Sequence, residues 1–197
     1  MGAGPEAARE PGLEQALALA RRGDEAGFAT LWRGLQPPLL RYLAVRQRPG
    51  ATAPDDIAGE TWLQVVRDFG SFTGGVPEFR AWLFTIARHR AVDAGRSDAA
   101  RPSVPVADPA DAADHPLGPS AEQQVVDRDA TDRALELVRT LPPLQAEMVM
   151  LRVVGGLDVQ QVADLVGKNP GTVRVTVHRA LRSLSRNPRI RSVRGDG

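Results

Sequence analysis

The chain has no cysteine, a single lysine and no long apolar run. The first absence rules out a disulfide framework and a thiolate metal site. His89, His115 and His178 are scattered without ligand-type spacing, so histidine offers no zinc site either. Nothing approaches the roughly 20 apolar residues of a membrane-spanning helix, and no apolar signal segment opens the chain. A cytoplasmic protein without membrane insertion is the expectation. The sequence shows no nucleophile–base pair, phosphate loop or metal cluster, which argues against an enzyme and calls for no cofactor. Aromatic residues are withheld from the second half: all nine lie between Phe28 and Phe84. An N-terminal unit can therefore build a bulky aromatic core, whereas anything folded later must pack on Leu, Val, Met and Ala.

What the chain does have is charge, unequally placed. Its 197 residues sum to a net charge of +1, a total that hides a division along the sequence. From Lys168 to Arg194 there are eight Lys and Arg residues and no acidic one. That run overlaps the stretch Leu157 to Arg186, which reads as two short helices joined by a tight turn. Asp158 and Gln161 form a capping pair, each able to satisfy the other's backbone N–H. Val159, Val162, Ala163 and Val166 recur at helical spacing, with small Ala163 leaving room for a neighbouring helix. Gly167 suits a left-handed helix end and Pro170 the first turn of the next helix. Val173, Val177, Leu181 and Leu184 mark the expected buried stripe of that second helix, and its other faces carry Thr172, Arg174, His178, Arg179, Arg182 and Arg186. The pattern predicts a helix-turn-helix with a basic reading helix for the DNA major groove. A merely solvated arginine face on a helical bundle is the plain alternative.

Upstream, residues 1–12 are rich in Gly, Ala, Pro and Glu and are expected to be disordered. A helix is expected from about Leu13 to Arg22. A second carries Phe28, Leu31, Trp32 and Leu35, and the Pro37-Pro38 pair marks a helix start or a kink. Arg46 to Pro54 reads as a polar loop. In the third helix, Asp55 to Phe69, the 4-3-4 spacing of Ala58, Trp62, Val65 and Phe69 points these residues at the core. Asp55, Asp56 and Glu60 crowd its first turns. They serve either as complements to the helix dipole, which composition alone favours, or as an acidic docking face with Leu63 as an apolar contact. After a turn-rich loop, Glu78 to Asp93 places Phe79, Leu83 and Ile86 on one stripe and Arg80, Trp82, Arg88, His89 and Arg90 on the others. Aromatics interleaved with arginines can hold unstacked bases and phosphates, or Trp82 and Phe84 can simply be core.

The segment from Asp98 to Glu122 holds five prolines, five acidic residues, one arginine and no aromatic, a composition that predicts an extended linker. A helix from Val125 to Arg139, a break at Leu141-Pro142-Pro143-Leu144 and a further helix to Val154 then lead through Gly155-Gly156 into the helix-turn-helix.

In order and spacing these parts resemble a sigma factor of the sigma-70 family in its two-domain extracytoplasmic-function (ECF) form. The run Asp55-Asp56-Ile57-Ala58-Gly59-Glu60-Thr61-Trp62-Leu63 resembles the acidic helix that docks on the clamp helices of RNA polymerase. Phe79-Arg80-Ala81-Trp82-Leu83-Phe84-Thr85-Ile86-Ala87-Arg88 is similar to the segment that melts and reads the −10 element. Leu141 through Leu184 looks like the domain that reads the −35 element. The likeness covers about Asp24 to Arg186. It implies that Asp55, Asp56, Glu60 and Leu63 bind core polymerase, and that Arg80, Trp82, Arg88 and His89 lie near the non-template strand. It places Lys168, Thr172, Arg174, Val175, His178, Arg179 and Arg182 at the −35 duplex. Core RNA polymerase, promoter DNA and an anti-sigma factor are the partners it implies. The sequence departs from the family pattern at Gly59, where Gln is usual, and at His89, where Asn is frequent. It departs again at Val175-Thr176, and at Ala94 to Asp98, which predicts an early end to the preceding helix.

The expected fold is all-α. It has a disordered start (1–12), a polymerase- and −10-binding helical domain (13–97), a flexible Pro/Asp/Ala-rich linker (98–122), a helix-turn-helix domain (123–188) and a basic tail (189–197), with no further domain after it. A dimeric helix-turn-helix repressor or activator working without polymerase is the alternative. A nucleic-acid-modifying enzyme with a DNA-binding tail is more remote.

Overall fold

The structure, a computed structural model, describes residues 10–47, 50–100 and 121–186. The expected disorder of the first residues, most of the linker and the basic tail lie outside them. The described chain is helical throughout: α1 (Glu10–Ala20), α2 (Glu25–Arg46), α3 (Pro54–Asp68), α4 (Val76–Ala100), α5 (Ala121–Arg139), α6 (Pro143–Val149), α7 (Val159–Val166) and α8 (Pro170–Ser185). A 3₁₀ turn, Phe69–Ser71, follows α3, and a π-type stretch, Met150–Val154, follows α6.

In the N-terminal half, α2 is the axis. Asp24 caps it by accepting the Gly27 N–H at 2.8 Å. It then runs unbroken through Pro37 and Pro38, where the sequence predicted a start or a kink. An interior proline costs about 3 kcal/mol because it removes a helical hydrogen bond and crowds the preceding turn. Leu31, Leu35, Leu39, Tyr42 and Leu43 form a fully buried stripe on both sides of the pair. At about 1.5–3 kcal/mol for each buried side chain, that stripe outweighs the prolines and keeps the helix whole. Helix α1 packs along α2 where Gly27 is buried: a Cβ there would lie 2.6 Å from Leu19 Cβ and 2.8 Å from the Ala16 carbonyl oxygen.

The 4-3-4 spacing in α3 holds, since Ala58, Trp62 and Val65 are buried and Phe69 is partly buried against the same core. Helix α4 buries Phe79, Leu83 and Ile86 as expected, together with Phe84, which is core. It does not stop early at Ala94 to Asp98 but continues to Ala100. The Asp98 carboxylate accepts the Thr52 N–H at 2.9 Å and its hydroxyl at 2.9 Å, which ties the extra turn to the loop before α3. Helices α4 and α5 thus reach into both ends of the segment that composition marked as linker. Trp32 lies outside the aromatic core, 43% exposed.

The C-terminal half follows the sequence closely. The Asp158–Gln161 capping box is present, Gly167 ends α7 at φ 65°, and Pro170 opens α8 behind an Asn169 cap. One position differs. Ala180 is buried and Leu181 is 41% exposed, so the core face of α8 runs Val173, Val177, Ala180, Leu184. That series keeps the 3.6-residue repeat, and a leucine one position on is turned about 100° away.

Candidate nucleic-acid interface

On α8, Thr172, Arg174, Val175, His178, Arg179 and Arg182 are all exposed, as is Lys168 in the turn before it. Among the described residues no carboxylate pairs with Arg174, Arg179 or Arg182. His178, Arg179, Arg182, Ser183 and Arg186 line a shallow concavity of about 430 Å³. The helix therefore presents an uncompensated positive surface of groove-binding length, supported from behind by α7 and α6.

On α3, Asp55, Asp56, Glu60 and Leu63 are likewise exposed, Leu63 by 67%, and Val66 adds a second apolar side chain one turn on, 57% exposed. Behind them Trp62 donates its indole N–H to Gln36 Oε1 at 2.7 Å, which fixes the helix on α2. Gly59 lies on the open side, with nothing within 4 Å of where a Cβ would stand.

The candidates on α4 are arranged differently. Trp82 stacks on Phe72 at 5.0 Å and 15°, Phe72 and Phe79 meet edge-on at 5.3 Å, and the Arg21 guanidinium lies over the Phe72 ring, 5.4 Å from its centroid. Trp82 is thus partly core and partly an accessible aromatic edge, while His89 is exposed. Arg80 and Arg88 are only partly accessible, because the C-terminal half lies on them. Arg88 Nε donates to Glu147 Oε1 at 3.0 Å. The same oxygen accepts from the Tyr42 hydroxyl at 3.1 Å and from Arg46 Nη1. Burial pushes the Tyr42 phenol well above its ordinary value, Arg46 countering only part of this, so it remains a donor to the carboxylate. Arg80 packs against Gly156 so closely that a Cβ there would come within 2.9 Å of Nη1. Its Nε is buried without a hydrogen-bond partner. Close by, Gln161 Nε2 donates to the Pro77 carbonyl at 3.1 Å, so the capping residue of α7 also touches the start of α4. Arg139 adds a bond to the Ala44 carbonyl at 2.9 Å. Beside Glu147 a cleft of about 1030 Å³ opens between α2, α4 and α6, with Arg46, Asp98 and Leu144 on its walls.

Sequence reasoning did not single out Glu147, Arg46 or Tyr42. One signal was there: Glu147 is the lone acid in the apolar run Ala146-Glu147-Met148-Val149-Met150-Leu151. A carboxylate in such a setting is buried only when paired.

Comparison with known proteins defines the class. Residues 27–101 match the family described as Sigma-70 region 2, and residues 131–184 match Sigma-70, region 4. The chain is 35% identical over 181 residues to the ECF RNA polymerase sigma factor SigD of Mycobacterium tuberculosis, covering 87% of this chain and 82% of that one. It is 35% identical over 167 residues to the ECF RNA polymerase sigma factor BldN of Streptomyces coelicolor, covering 85% of this chain and 62% of BldN. A solved structure of CnrH in complex with the cytosolic domain of CnrY shares the fold, with a TM-score of 0.56 at 19% identity over 93% of this chain and 98% of that one. The chain belongs to the sigma-70 family and, within it, to the ECF RNA polymerase sigma factors. The dimeric repressor is therefore not favoured. Among the described residues no helix is long and apolar enough to cross a membrane.

Proposed function

We propose that this chain binds core RNA polymerase and directs it to promoters by reading a −35 and a −10 element. The observation that carries the reading is the coexistence in one chain of two exposed surfaces of opposite character: the arginine-bearing α8 and the acidic-apolar face of α3. Asp55, Asp56, Glu60 and Leu63 dock on a basic, partly apolar polymerase surface. Lys168, Thr172, Arg174, Val175, His178, Arg179 and Arg182 face the −35 major groove, where arginine reads guanine edges or holds phosphate. Trp82, His89, Arg80 and Arg88 meet the opened −10 strand, Trp82 by stacking and the arginines by charge. The N-terminal domain (13–97) and C-terminal domain (123–188) divide these tasks across the linker. The protein works in the cytoplasm and leaves the chemistry to polymerase. An anti-sigma factor belongs to this reading through the family resemblance.

The test is co-elution of the purified chain with core RNA polymerase, with Glu60→Lys alongside. Co-elution by the parent chain and loss of at least about tenfold in affinity for the variant, with Arg179→Ala still bound, is the expected result. A folded chain that elutes apart from polymerase as a dimer would sink the proposal.

A further inference from the structure

Trp82, proposed to stack on the opened −10 strand, does not stand alone. Phe72, in the loop between α3 and α4, lies nearly parallel to it at 5.0 Å and 15°, and the two rings form a partly exposed aromatic platform. Phe72 comes from a loop in which Gly70, Gly74 and Gly75 leave the chain little stiffness of its own. The platform therefore exists only while that loop is held. Two elements hold it. From α4, Glu78 Oε2 accepts the Gly75 N–H at 2.8 Å. The second is α1, which precedes the matched residues 27–101. Glu14 Oε1 of that helix accepts the Val76 N–H at 3.1 Å. Arg21 follows two turns later on the same face, just past the helix end. It donates to the Gly74 carbonyl and lays its guanidinium over the Phe72 ring.

The geometry points to Arg21 as a positioning residue for strand capture, and to Phe72 as the second ring on which a base of the −10 strand stacks. The inference rests on the proposed −10 reading and adds α1 to its machinery. Among the described residues Arg21 has no acidic partner, so its charge is directed at the loop. A cation is attracted to the face of an aromatic ring, and a charged donor binds a carbonyl more strongly than a neutral one. Both contacts keep Phe72 aligned with Trp82, and an incoming base meets a surface already formed. With the loop released, only the fraction of molecules whose rings are aligned can stack a base, and affinity falls by that fraction. Every base presents a π face, so Arg21 governs how tightly a strand is held rather than which bases are read.

The probe is a single-stranded oligodeoxynucleotide of mixed sequence, carrying a fluorescent base analogue whose emission falls on stacking, titrated with the full-length chain. Arg21→Ala should bind it about three- to fivefold more weakly than the parent and quench it less at saturation, with circular dichroism and melting temperature unchanged. Arg21→Lys should recover the affinity to within about twofold, because an ammonium also donates to Gly74 and sits over the ring. In a Phe72→Leu background, which keeps apolar bulk and removes the ring, Arg21→Ala should cost nothing further. Unchanged binding by Arg21→Ala overturns the proposal, as does an undiminished loss in the Phe72→Leu background. The slope of log affinity against log salt should match the parent's. A slope shallower by about 0.7 means that Arg21 itself meets a phosphate, and overturns the positioning role. A parent chain that leaves the probe unquenched overturns the platform, and polymerase co-elution then judges the sigma reading independently.

Discussion

Helices α4 and α8 each carry arginines proposed to meet DNA, yet they hold them in opposite ways. On α8 the guanidinium groups stand in water with no acidic partner among the described residues. On α4 Arg88 is bound to Glu147, with its side chain 27% accessible, and Arg80 is pressed under Gly156. The difference follows from what each helix packs against. Among the described residues the arginines on the polar faces of α8 have no ion pair, and α6 and α7 pack against the helix. Helix α4 lies between α3, α2 and α7, so its polar faces border the other half of the molecule. An exposed arginine contributes charge to binding and little to stability. An engaged arginine contributes more to stability and presents less free charge.

The largest effect expected from that contrast is on duplex binding. Arg179→Ala should cost about 1–3 kcal/mol, or roughly 10- to 100-fold, in affinity for promoter duplex carrying the −35 element, measured by fluorescence anisotropy at fixed salt. Its melting temperature should stay near that of the parent. A smaller effect separates the helices directly. Arg88→Ala should lower unfolding free energy by about 1–2 kcal/mol, less than the full loss of a buried pair because Arg46 still serves Glu147. Arg182→Ala should change it by less than about 0.5 kcal/mol, as an exposed site does. Equal losses in denaturant titrations would erase the distinction between the two sets of arginines. The smallest effect concerns the third surface, on α3. Gly59→Ala should stabilise the chain by about 0.5–1 kcal/mol, because the helical site is open and glycine there is entropically unfavourable. Polymerase affinity read on the same variant shows whether the missing side chain matters for docking.

Much of this arrangement was legible from residue order. The capping pair Asp158 and Gln161, the left-handed Gly167 and the 4-3-4 stripe of α3 all appear where local rules place them. These are short-range effects, settled within one or two helical turns by hydrogen-bond satisfaction and by the side on which apolar residues fall. The misreadings share a cause. Pro37-Pro38 looks like a break locally, and only the depth at which the flanking leucines are buried keeps α2 continuous. Ala94 to Asp98 lacks the usual basic helix end, yet Thr52, distant in sequence, holds Asp98 and the helix goes on. Leu181 outranks Ala180 in hydrophobicity, but the closely packed side of α8 takes the smaller residue.

The sequence by itself determined the all-α class, the helix-turn-helix, the separation of acidic and basic surfaces and the family, because each rests on periodicity, capping chemistry or motif order within a short span. Only the tertiary structure decided that Glu147 would meet Arg46 and Arg88, partners 101 and 59 positions away. Pairing of that kind leaves no local pattern. It arises when the surfaces of two half-molecules bury each other and a carboxylate trapped between them is held where cations from the other half meet it.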